Sequence, residues 1–265
     1  MEELIRMTAA PMQKPHAYGA FHLTFFIVGL IIVIPLALIL SKKLSKRQSD
    51  FTLFSIGCLL LASEIYKQLF YTYIYGGGEY QWYMFPFQLC SIPMYVCLLL
   101  PWINKPVIKS TMYGFLASYG LMGGFVSYIA PGTMCREYYA MTIHSFSWHM
   151  ILIFIGLFAA LSGFAGKKLK NYLYVVISYY GMCVISLIIN LLCYDKIGKN
   201  GSTVNMMYVG PHRSVLVVCR DICDKFGWVA NFFVYTIALS FCAFLFYAAF
   251  VLLNKFIRKN KRSDA

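Results

Sequence analysis

Seven runs of mostly apolar residues follow one another along the chain with little sequence between them. They lie at about 21–41, 51–74, 82–103, 107–130, 141–164, 171–194 and 228–254. A run of roughly 20 apolar residues, rising 1.5 Å per helical residue, matches the ~30 Å hydrocarbon layer of a bilayer. Lipid offers no partners for open backbone groups, and the runs lack the alternation of barrel strands, so helices are the structure that fits them. Composition agrees: 60% of the 265 residues are hydrophobic and 12% charged, against about 25% charged in soluble domains. The sequence therefore predicts an all-α, polytopic membrane bundle of seven transmembrane helices, a single integral membrane domain over residues 1–265.

The formal charge of +13 does not point to nucleic acid, because of where the charges sit. Lys42, Lys43, Lys46 and Arg47 fill the connection between the first two runs. Lys105 and Lys109 follow the third, Lys167, Lys168 and Lys170 the fifth, and Lys255, Arg258, Lys259, Lys261 and Arg262 the seventh. The alternate connections are longer and carry fewer basic residues: Arg6, Lys14, Arg136 and five between 195 and 227. This is the positive-inside pattern, which places the amino terminus outside and the carboxyl terminus in the cytoplasm. The expectation is a multi-pass protein of the plasma membrane, with membrane lipids as partners and no nucleic acid; protein partners are not assigned. Glu2 and Glu3 stand where a signal peptide carries positive charge, so the first run reads as a retained span.

The third run is unusual. "WYMFPFQLCSIPMYVC", Trp82 to Cys97, holds two prolines, a glutamine and two cysteines. Pro93 cannot donate to the carbonyl of Leu89, so the helix is expected to bend beside Cys90, with Pro86 loosening its first turn. Such breaks are tolerated facing protein or a water-filled cavity. Counting the helical rise from the outer edge puts Cys90 and His149 each about 12 Å down and Glu64 about 10 Å down, with Lys67 one turn above it. Glu64 and Lys67, spaced i, i+3, can pair. They read either as a structural ion pair or as the lining of an outward-open polar cavity. Cys90 reads as a nucleophile with His149 as its base and Lys67 as a stabilising charge, or as apolar filler beside a satisfied core histidine. Gln88 adds an amide at this level, and Asn205 from the sixth connection joins Gln88, Glu64 and Lys67 as candidate substrate-binding residues.

Other features carry less. His144 is five residues from His149, on a different face and nearer the surface. His212 with Cys219 and Cys223 matches no strong zinc spacing, and no metal is expected. The nine cysteines are mostly intrahelical, and small hydrophobes by default. No Walker motif is present and no cofactor is expected. Gly120-x-x-x-Gly124 permits close helix approach. "RSVLVVCRDICDKF" sets Val215, Val218, Ile222 and Phe226 at helical spacing, an amphipathic helix on the outer surface.

Four blocks in order, "FPFQLCSIPMYV" (85–96), "YGLMGGFVSYIAPGT" (119–133), "FSWHMILIFIGLF" (146–158) and "GSTVNMMYVGP" (201–211), resemble successive blocks of the bacterial YwaF-type membrane proteins. These belong with the eukaryotic transmembrane protein 164 family. The resemblance implies a seven-helix membrane protein and, from the eukaryotic branch, cysteine-dependent transfer of fatty acyl chains between phospholipids. Where the bacterial block usually reads Leu-Pro-Leu-His-Leu-Cys, this chain has Gln88 in the histidine position. The rival readings are a transport or ligand-binding protein without covalent chemistry, and a membrane subunit of a larger complex.

Overall fold

The computed structural model describes residues 1–166, 168–214 and 216–263. Lys167, counted among the basic residues, and Val215, placed on the amphipathic face, lie outside the described residues. In chain order the helices are α1 (Glu2–Met7), α2 (Ala20–Lys43), α3 (Lys46–Phe70), α4 (Ile92–Leu99), α5 (Pro106–Phe115), α6 (Leu121–Ile129), α7 (Tyr139–Leu161), α8 (Tyr172–Leu192) and α9 (Val217–Ser263). Single π-helical turns extend α3 to Tyr75 and join α5 to α6. Among the described residues no strand forms; two isolated bridges, Pro11 with Tyr138 and Ile197 with Thr203, are the β-type pairings seen. Five helices, α2, α3, α7, α8 and α9, are long and apolar enough to cross a membrane.

The third apolar run departs from the expected helix over 82–103. Trp82–Met84 is a 3-10 turn, residues 85–91 are irregular, and α4 begins only at Ile92. The prolines explain this. Phe85, which precedes Pro86, is driven to an extended conformation (φ −49°, ψ 135°). Pro93 is not a mid-helix kink; it occupies the first turn of α4, where its missing N–H would have had no partner in any case. A second break falls at Gly227 (φ 82°, ψ 167°), a conformation that glycine adopts without a Cβ clash. It separates 217–226 from the long remainder of α9. That first piece is the amphipathic segment read from the sequence: Val218 and Phe226 are 71% and 73% exposed while Cys219 is buried.

The core centres on α7. In its apolar window 61% of residues are buried, against 6% in α2, which packs on its periphery. Close approach depends on small residues. A Cβ at Gly156 would stand 2.6 Å from Leu121 Cβ and 3.0 Å from the Leu116 carbonyl oxygen, and one at Gly124 would stand 3.0 Å from the Ile153 backbone nitrogen. The basic connections gather at one end of the bundle. There Lys109 Nζ meets Asp50 Oδ2 at 2.6 Å, and the Tyr113 hydroxyl donates to Asp50 Oδ1 at 2.9 Å. Tyr113 packs edge-on against Phe164, Tyr247 donates to the Gly166 carbonyl, and Asn254 donates to the Ala160 carbonyl.

The Asp50–Lys109 pair is largely buried, with side chains 7% and 11% exposed. Lys109→Met leaves Asp50 charged without its ion-pair partner and is expected to cost about 3–5 kcal/mol. Asp50→Leu with Lys109→Met is expected to recover part of that loss, as read by detergent thermal-unfolding midpoints of the three proteins.

Candidate functional site

In and beside the irregular segment 85–91, turn bonds satisfy the carbonyls of Phe85, Gln88 and Ser91, and side chains cap three others. Gln68 Nε2 donates to the Met84 carbonyl at 2.7 Å, the Tyr95 hydroxyl to the Pro86 carbonyl at 2.9 Å, and the Trp148 indole N–H to the Cys90 carbonyl at 3.0 Å. Cys90 is thereby fixed beside α7 and one residue before the Ser91 cap of α4.

Glu64 continues the buried stripe Leu53, Gly57, Leu60 of α3, so helical periodicity carries a carboxylate inward. Its Oε1 accepts from Lys67 Nζ at 2.8 Å and from Gln68 Nε2 at 2.6 Å, while Oε2 is buried without a partner among the described residues. Lys67 sits 6.0 Å from the centre of the Trp148 ring, a cation–π distance. It is within Coulombic range of Cys90, His144 and His149. His144 stacks on Trp148 at 5.5 Å. It therefore belongs to the cluster, contrary to the peripheral place that its spacing from His149 suggests.

His149 is oriented by its own helix. Its Nδ1 lies 2.7 Å from the Ser145 carbonyl, which requires the proton on Nδ1 and leaves Nε2 with a lone pair. Among the described residues Nε2 has no hydrogen-bond partner and is not sealed off. Cys90 and His149 are both half-buried. The same holds for Tyr208 and Tyr235, each within Coulombic range of Cys90. The cavities of about 920 Å³ and 30 Å³ are lined by other residues.

Gln88 and Asn205 are bound up in the fold. Gln88 Nε2 donates to the Asn205 carbonyl at 3.1 Å, and its Oε1 accepts from the Met207 N–H at 2.8 Å. Asn205 spans its own loop, accepting from the Gly210 N–H and donating to the His212 carbonyl, both at 2.9 Å. Asn190 clasps the backbone of Met206 from α8 with both amide groups. These amides hold Met207 and Tyr208 in left-handed conformations (φ 52° and 55°), which cost of order 1–3 kcal/mol each for residues with a side chain. His212 instead stacks on Tyr194 at 4.3 Å and bonds its carbonyl.

The sequence model of the TMEM164 family matches residues 17–254, which include all of these positions. The chain belongs to the TMEM164 family. Neither curated proteins nor solved structures provide a match. Within this TMEM164 family chain, Gln68, Trp148, Tyr208, Tyr235 and Asn190 join the candidate site, and the sequence reading named none of them. Gln68 had a usable signal, four residues from Glu64 on one helical face. Tyr208 had none, because its exposure to the cluster depends on a backbone conformation that its residue type disfavours.

Replacing Gln88 by Leu removes both bonds that hold the 205–207 backbone to the Cys90 segment. Amide hydrogen exchange at Met206–Val209 is expected to speed up by at least ~10-fold, with that of α7 unchanged.

Proposed function

We propose that this protein is a seven-span plasma-membrane enzyme, amino terminus outside, that moves acyl chains between phospholipids through a Cys90 thioester. The count of seven takes α5–α6 and the segment 82–102 as spans beside the five long helices. Their basic connections then all face the cytoplasm. The observation that carries the enzymatic reading is the His149 ring: Nδ1 held by Ser145 and Nε2 free, on the turn of α7 whose Trp148 grips the Cys90 carbonyl.

In this reading His149 Nε2 takes the Cys90 thiol proton as sulfur attacks the ester carbonyl of a donor phospholipid. The ester C–O bond breaks, and the lysophospholipid oxygen leaves with that proton. A hydroxyl of an acceptor lysophospholipid, deprotonated by His149, then attacks the thioester and restores the thiol. Lys67, steadied by Glu64, offsets the oxyanion charge. The hydroxyls of Tyr208 and Tyr235, which have no hydrogen-bond partner among the described residues, are its candidate donors. Gln88 and Asn205 act by fixing the loop that carries Tyr208.

A second reading is a binding protein without covalent chemistry, favoured by the unpartnered Glu64 Oε2, Gln68 Oε1 and His144 Nε2, which suit a polar headgroup. The two part in one assay. Protein in phosphatidylcholine vesicles receives a phospholipid with a labelled acyl chain and an unlabelled lysophospholipid. Label is expected to reach the acceptor, with a hydroxylamine-sensitive label on the protein. Cys90→Ser and His149→Gln are each expected to lower transfer by at least ~100-fold. Undiminished transfer in Cys90→Ser removes the thioester; absence of transfer with retained lipid binding selects the second reading.

A further inference from the structure

The chain also carries a feature on the opposite faces of α3 and α7 that the Cys90 cluster does not use. Helices α2 and α3 are consecutive and joined by only Leu44 and Ser45, yet α2 packs chiefly on α7. A groove of about 920 Å³ opens in the wedge between them, at the upper end of the range of ligand pockets, about 300–1,000 Å³. Val28, Ile32 and Leu36 of α2, Ile56 of α3, and Met150 and Phe154 of α7 are among its walls. From Phe21 to Leu40 the groove follows α2 for about 29 Å, the thickness of the hydrocarbon layer.

The closed end of the wedge is charged. Leu40 and Thr52, the lining residues nearest the turn, are within about one helical turn of Lys43 and Gln48. Lys42, Lys43, Lys46 and Arg47 around that turn are all exposed. Among the described residues none of the four has a carboxylate within ion-pair distance. An apolar slot of membrane height that ends in four uncompensated cations is complementary to one kind of molecule, with aliphatic chains and an anionic head in a single piece. Each cation near a membrane surface contributes attraction for acidic lipid. The slot adds what a basic loop alone lacks, a fixed place for the chains.

We infer that the α2–α3–α7 groove binds an anionic glycerophospholipid, chains along α2 and phosphate at the Lys42–Arg47 turn, independently of any chemistry at Cys90. The full-length protein in detergent is titrated with dioleoyl-phosphatidylglycerol or dioleoyl-phosphatidylcholine and read by native mass spectrometry. One phosphatidylglycerol is expected to be held at least ~10-fold more tightly than phosphatidylcholine. Changing Lys42, Lys43, Lys46 and Arg47 together to Gln is expected to erase that preference. Ile32→Trp and Leu36→Trp, at exposed positions that project into the slot, are expected to weaken retention of both lipids at least ~5-fold. Glycerophosphoglycerol, the headgroup without chains, is expected not to compete. Equal affinity for the two lipids, a preference that survives the Gln variant, or competition by the free headgroup overturns the assignment. So does a lipid-free dimer whose formation the Trp variants abolish, which would make a second copy the occupant.

Discussion

Pro86 and Pro93 impose the constraint on which the site rests. They lie within and just beyond seven irregular residues in an apolar run, whose backbone is met partly by turn bonds and otherwise needs side-chain partners. The protein answers with Gln68, Tyr95 and Trp148, each donating to one carbonyl. Because those donors come from α3, α4 and α7, capping the segment also ties three helices around Cys90. The clustering of polar side chains is thus a consequence of satisfying a broken backbone, and chemistry has a place to start from a structural necessity.

Two buried ion pairs differ in how fully their carboxylates are engaged. Asp50 has both oxygens engaged, by Lys109 and Tyr113, and its neighbours lock the basic ends of α3 and α5 together. Glu64 has one oxygen doubly engaged and the other bare, with Gln68 Oε1 and His144 Nε2 also unpartnered. Unmet polar atoms in a dry interior are destabilising by about 1–3 kcal/mol each. Under the proposed binding of a polar group at this cluster, that group would supply the missing partners of these three atoms.

Hydropathy and loop charge made the long helices legible, because those signals are sums over many residues and tolerate local irregularity. The inward direction of Glu64 was legible too, from its place on the stripe that begins at Leu53. The segment 82–91 was legible as broken but not as non-helical: one proline bends a helix, and it takes Pro86 acting with Pro93 to prevent one. The roles of Gln88 and Asn205 were not legible, since an amide in an apolar run looks the same whether it faces a ligand or a loop. What decides between them is the fold of residues 204–210, held by long-range bonds such as Gln88 to Met207.

The groove and the cluster share two helices without sharing residues. On α7, Ser147, Met150, Ile151 and Phe154 recur at helical spacing on the groove side, while Ser145, Trp148 and His149 make the contacts of the Cys90 side. On α3 the groove takes Thr52, Ile56 and Leu59, and the cluster takes Glu64, Lys67 and Gln68 one to two turns further along. A helix surface that repeats every 3.6 residues can serve two neighbours in this way. A lipid seated on one side would meet the backs of the helices that position His149 and Lys67. On that proposal their spacing would depend on the membrane as well as on the protein's own packing, a physical route from bilayer composition to the Cys90 cluster.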